Sequence, residues 1–170
     1  GDADAVAEDV ARLGGFGIAA HPFSPRVELA WSDWNVPLDG IEWLNADSEW
    51  RDETPLRLTR ALLEYPFRPI ETLTSLLDRP GEVLTRWDRL TSDRQVVGLA
   101  ATDAHARIGF GREDPYEDVI LARIPSYDVA FRSFSNHVLM PPLTGDAAAD
   151  GTRLLDALRG GRHYGVVEGL

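Results

Sequence analysis

Three short runs limit the possible folds of this chain more than any other feature: FGIAA at 16–20, GIEWL at 40–44 and VVGLAA at 96–101. Each is apolar on both faces, so each is expected as a strand buried on both sides, and stretches of helical periodicity separate them. Such strands build a parallel sheet covered by helices, closed as a barrel or left open. A fourth, weaker run is DVILARI at 118–124. Helices are predicted over 3–13, with Val6, Val10 and Leu13 inward, and over 55–64, with Leu58, Ala61 and Leu62 inward. Further helices are predicted over 70–77 (Ile70, Leu73, Leu77), 82–90 (Val83, Trp87, Leu90) and 152–159 (Leu154, Leu155, Leu158). Pro55, Pro69 and Pro80 stand where a first helical turn tolerates proline, and Gly14-Gly15 and Gly160-Gly161 act as stops.

The runs end on polar residues. The first closes on His21-Pro22, the second on Asn45 and the third on Thr102-Asp103-Ala104-His105. In α/β barrels the C-terminal ends of the strands carry the active site, and the same ends form the ligand crevice of open doubly wound sheets. Asp103 and His105 are two residues apart, so in an extended segment both point the same way and can reach one ion. The chain has no cysteine, so any metal must be held by His, Asp or Glu. A carboxylate with neutral imidazole suits manganese, zinc or iron. His21, Asp103 and His105 are the metal-ligand candidates.

Composition narrows the partners. A chain of 170 residues with 44% hydrophobic and 26% charged residues fits one globular domain with its own core. A formal net charge of −11 argues against wrapping nucleic acid, which needs cations to displace counterions. No apolar run approaches the roughly 20 residues that cross a bilayer, and the opening GDADAVAEDVARL lacks the features of a signal peptide. All 17 basic residues are arginine, which reads as a G+C codon bias and carries no functional weight. A soluble protein acting on a small molecule is expected, with the bacterial cytoplasm and periplasm both open as its compartment.

The ordered motifs AAHP, then GIEWLN, then ATDAH resemble the late motifs of the PHP (polymerase and histidinol phosphatase) family of metal-dependent phosphoesterases. They look closest to the branch of CehA/McbA-like metallohydrolases. Those motifs are a strand ending in His-Pro, a strand of the form I-E-x-x-N and a strand ending in S-D-A-H, with Thr102 here in place of the serine. The stretch LLDALRGGRHYG at 154–165 is similar to the segment that follows the barrel in that branch. The resemblance implies an incomplete distorted (β/α) barrel of PHP type over 1–170, helices outside, with about 146–170 following the barrel. The family's opening H-x-H strand is not in this sequence, so the missing N-terminal part of the barrel would be a partner supplying further ligands.

The implied function is metal-dependent hydrolysis, of phosphate esters in most of the family and of carboxylic esters, amides or carbamates in the CehA/McbA branch. A binding or structural module of the same fold, without catalysis, is a rival reading. Glu42 and Asn45 are expected to stand behind the ligands or orient them. Arg107 and His137 are candidates for substrate contact, Arg107 through its fork of donors. Trp43 is expected in the core, and Trp31 and Trp34 at a pocket rim.

Overall fold

The computed structural model describes residues 3–105, 108–110, 119–122 and 124–168. The chain opens with helix α1 (Ala3–Arg12), then strand β1 (Ile18–Ala19), strand β2 (Gly40–Asn45) and helix α2 (Ala46–Arg51). Helices α3 (Pro55–Glu64), α4 (Pro69–Thr74) and α5 (Gly81–Thr91) lead to strand β3 (Val97–Ala101). Strands β4 (Ile108–Phe110) and β5 (Val119–Ala122), helix α6 (Tyr127–Ser133), strand β6 (Phe134–Val138), helix α7 (Ala147–Arg159) and strand β7 (His163–Val167) complete it.

The fold is mixed α/β. β1, β2 and β3 form one parallel sheet in that order, with Ile18 opposite Gly40 and Gly40 opposite Val97. Their apolar residues are buried as the unbroken runs require: Ala19, Ile41 and Leu44 are 1%, 0% and 3% exposed. Burying a side chain of the size of Ile41 contributes roughly 1.5–3 kcal/mol. α5 seals one face. Val83 enters the core cluster of Ala19, Val36, Leu38, Ile41 and Val96, and Trp87 lies on β3 with its indole N–H donating to the Val96 carbonyl at 2.7 Å. Gly98 is required there, because a Cβ would stand 2.5 Å from the Trp87 ring.

Caps explain most helix starts. Asn45, Thr54, Ser126 and Asp146 each accept a backbone N–H from the first turn of α2, α3, α6 and α7. Pro55 and Pro69 open α3 and α4 as predicted, while Pro80 stands one place before α5.

Several expectations need correction. The fourth run is not a parallel strand of the sheet: β5 pairs antiparallel with β4. Only eight residues separate Phe110 from Val119, fewer than the dozen or so that a parallel crossover needs. The parallel sheet has three strands, and no closed barrel is found among the described residues. α1 turns Ala3 and Ala7 to the core and leaves Val6 62% exposed, and Leu13, just past its end, is 80% exposed. α7 buries Ala157 and Asp150 and leaves Leu154 and Leu155 partly exposed. In both helices the small residue wins because it lets the helix approach closely. α3 likewise leaves Leu62 half exposed.

β6 and β7 form an antiparallel ribbon that docks along the free edge of β3. The Asn136 carboxamide accepts from the Ala100 N–H at 3.1 Å and donates to the Ala100 carbonyl at 2.8 Å. One ring nitrogen of His163 lies 2.8 Å from the Gly98 carbonyl, to which it must donate. An edge strand left bare would invite pairing with another chain, and here side chains take its hydrogen bonds. No helix among the described residues is long and apolar enough to cross a membrane.

Candidate metal centre

All the polar strand ends meet at one edge of the sheet. His21 follows β1 by two residues, Asn45 ends β2, and Asp103 follows β3 by two. His21 and Asp103 are the two non-glycine residues with left-handed backbone among those described, at φ 32° and 44°. Such a conformation costs on the order of 1–2 kcal/mol for an L-residue and concentrates at functional sites.

A bulge in β2 organises this edge. Glu42 is opposite Leu99 but Leu44 is opposite Ala100, so Trp43 is an extra residue. Simple alternation would send Glu42 and Asn45 to opposite faces; one extra residue reverses the parity and brings them together. Asn45 Nδ2 donates to Glu42 Oε2 at 2.8 Å, and the same oxygen accepts the His21 backbone N–H at 2.6 Å. Asn45 Nδ2 also reaches Asp103 Oδ2 at 3.4 Å, while Asn45 Oδ1 caps α2 through the Ser48 N–H. Asn45, 5% exposed, thus ties the ends of all three strands to one another.

Asp47, Asp103 and His105 each offer a donor atom, and these lie within 4.8 Å of one another. Two carboxylates and one imidazole fit a divalent ion of the manganese, zinc or iron type, so the group could hold a metal. The ring nitrogen Nδ1 of His105 is 2.7 Å from the Asp103 carbonyl, which can only accept, so Nδ1 donates to it and the ring is held in place. The same logic applies to His21, whose Nδ1 lies 3.1 Å from the Leu29 carbonyl. His105 Nδ1 stands 3.9 Å from both Asp47 Oδ1 and Asp103 Oδ1.

The two carboxylates differ in freedom. Asp47 takes both arms of Arg51, at 2.6 and 3.1 Å, and the Trp50 indole N–H at 2.9 Å. Burial alone would raise its carboxyl, but the hydrogen bonds of Arg51 and Trp50 and the charges of Arg51 and His105 outweigh that and hold it below the usual range. A carboxylate has about four lone-pair sites, so Asp47 can keep Arg51 and still reach an ion. For the Asp103 carboxylate the one hydrogen bond among the described residues is the long contact from Asn45.

The donor group therefore joins Asp103 and His105 to Asp47, and His21 is connected to it through Glu42 and Asn45 rather than as a member. Asp47 was missed in the sequence because it lies beyond the strand, inside a six-residue helix that hydrophobic periodicity does not reveal. Its spacing of two from Asn45 was the available signal. His137 sits exposed on β6 against the Tyr164 ring, centroids 5.4 Å apart, away from both donor group and cleft. Arg107 lies outside the described residues. Trp31, Trp34 and Trp43 all pack on the core around Ile41.

A cleft of about 210 Å³ opens beside this edge, with His21, Glu42 and Asn45 in its wall. Its far side is formed by Glu49 and Asp52 near α2 and by 78–83 leading into α5. Burial raises the Glu49 carboxyl above its ordinary value, with the charges of Asp52, Asp78 and Glu53 adding to the shift against the Asp78 N–H bond. Asp52 is exposed, yet its partial desolvation, with the charge of Asp78 adding, likewise raises it.

No family model matches the chain, and neither a curated protein nor a solved structure with which it was compared matches it.

Proposed function

We propose that this chain is the late part of a PHP-like metal-dependent hydrolase, with Asp47, Asp103 and His105 as metal ligands and His21 at the same edge. The observation that carries the reading is the convergence of those three donors within 4.8 Å at the C-terminal edge of a parallel sheet. A dication bound there would supply an acidified water and polarise the scissile oxygen. The chain's own residues supply position. Glu42 fixes the His21 backbone, Asn45 fixes Glu42 and leans on Asp103, and the Asp103 carbonyl sets the ring of His105.

The resemblance favours phosphate esters as substrates. The carboxylate lining of the neighbouring cleft favours the second reading, a carboxylic ester, amide or carbamate, because a phosphate dianion would meet like charge there. The test begins with calorimetric titration of chelator-stripped protein with manganese and with zinc. Saturable binding that disappears in Asp103→Asn is expected; binding that survives unchanged removes Asp103 from the site. Turnover of p-nitrophenyl phosphate against p-nitrophenyl acetate, by the chain and by a chain extended upstream, then separates the two substrate classes.

A further inference from the structure

The cleft is walled by more than polar groups. Pro22, Phe23 and Val83 give it an apolar side, and Phe23 is braced by Trp34 with ring centroids 5.5 Å apart. Around that side stand five carboxylates, Glu42, Glu49, Asp52, Asp78 and Glu82, against a single arginine in the lining, Arg79. Asp78 is also paired with Arg57 at 2.8 Å, which is shared with Glu53, and Arg86 lies over the Trp34 ring at 4.9 Å, but within the lining itself five carboxylates face one cation. Asp52, Asp78 and Glu82 are exposed at the mouth, while Glu42, Glu49 and buried Asn45 lie deeper. An apolar and aromatic wall ringed by carboxylates is the surface that receives an alkylated ammonium: the ring face and the carboxylates attract the charge, and the apolar wall covers its carbon substituents. Asn45 is shared, touching Asp103 on one side and lining the cleft on the other, so the cleft adjoins the donor group through one buried side chain.

We propose that this cleft holds the ammonium-bearing part of the substrate, and that the bond hydrolysed is an ester or amide of a cationic small molecule rather than a phosphate ester. The inference rests on the metal-hydrolase reading for the reaction, but the charge preference of the cleft is independent of it. Hydrolysis would consume one water, break the acyl–oxygen or acyl–nitrogen bond and release a carboxylic acid and an alcohol or amine.

The test uses the metal-free full chain and three probes of similar shape: benzyltrimethylammonium, benzyl alcohol and phenyl phosphate, titrated by ligand-observed NMR. The cation should bind at least about tenfold more tightly than the alcohol, near 1.4 kcal/mol, phenyl phosphate should not bind, and added salt should weaken the cation. The preference should collapse in the Asp52→Asn/Glu82→Gln double variant, whose two positions are exposed and whose fold is checked by circular dichroism. Equal binding of cation and alcohol, binding of phenyl phosphate, or a preference untouched in the double variant overturns the proposal. Manganese titration of the same samples keeps the two readings apart: a cation preference without metal binding would sink the hydrolase reading and leave the cleft's selectivity standing.

Discussion

Asp103 and Asp150 are the same residue in two opposite situations. Asp150, in the first turns of α7, accepts the Thr144 N–H and hydroxyl and the Gly145 N–H, all at 2.9–3.0 Å, with Arg153 at 3.6 Å. Gly145 supplies the left-handed turn, φ 86°, that aims those donors. Asp103 sits in a left-handed conformation itself, and among the described residues its carboxylate receives one long hydrogen bond, from Asn45. One carboxylate is spent on holding a loop to a helix. The other is held in a strained backbone and takes one long hydrogen bond among the described residues, beside a second carboxylate and an imidazole. The contrast separates a structural acid from a candidate ligand without any alignment, by counting what each oxygen already bonds.

The largest expected effect tests the ligand side. Loss of a residue that merely orients a metal ligand costs roughly 10–100-fold in affinity, so Asp103→Asn should weaken manganese or zinc binding by at least about 100-fold. Its melting temperature without metal should match the parent. By mass action the parent should gain about 2.7 kcal/mol at metal 100-fold above its dissociation constant, and the variant nothing. A variant that melts far lower in the absence of metal would show that Asp103 is as structural as Asp150.

A middle-sized effect tests the structural side. Asp150→Asn should lower the melting temperature by several degrees and leave metal affinity unchanged. Its dependence on pH follows from the backbone N–H of Thr144, with its hydroxyl, the Gly145 N–H and Arg153 adding, which together hold the Asp150 carboxyl below its ordinary 3.8. A carboxyl lowered in the folded state stabilises fully above the unfolded value and loses that contribution as pH falls through the folded one. The gap between parent and Asp150→Asn should therefore be constant near neutrality and close as the pH drops below 3.8. A gap that widens in acid would contradict the assignment.

How far the two corners could be read from sequence differs for the same physical reason. The parallel strands were legible because burial on both faces forces unbroken apolar runs, and the polar residues that end them mark the sheet's C-terminal edge. The bulge at Trp43 was not legible, since nothing in GIEWLN says that one residue is extra, and without it Glu42 and Asn45 fall on opposite faces. β6 and β7 were hidden because FSNHV and HYGVV carry no unbroken apolar run; their polar members, Asn136 and His163, face the edge of β3. Asp150 was concealed inside a helix whose leucines suggested a different buried face. Contacts of side chains with backbone leave little periodic trace, and both corners depend on them.

The smallest effect concerns the strain at Asp103 itself. A Cβ in the left-handed region costs about 1–2 kcal/mol, a cost that glycine escapes. Both Asp103→Ala and Asp103→Gly remove the carboxylate and should abolish metal binding alike. They differ in the backbone: alanine keeps the Cβ at φ 44° and glycine does not, so Asp103→Gly should be the more stable by about 1 kcal/mol. That margin is kept small because glycine also gives the unfolded chain more freedom. At Asp150, which lies inside α7, the order should reverse, with Asp150→Ala more stable than Asp150→Gly by about 1 kcal/mol on helix propensity. Urea titrations of the four variants measure both differences. The same order at both positions would mean that the backbone at Asp103 relaxes once the carboxylate is gone, and that its strain is held by the side chain rather than by the strand end.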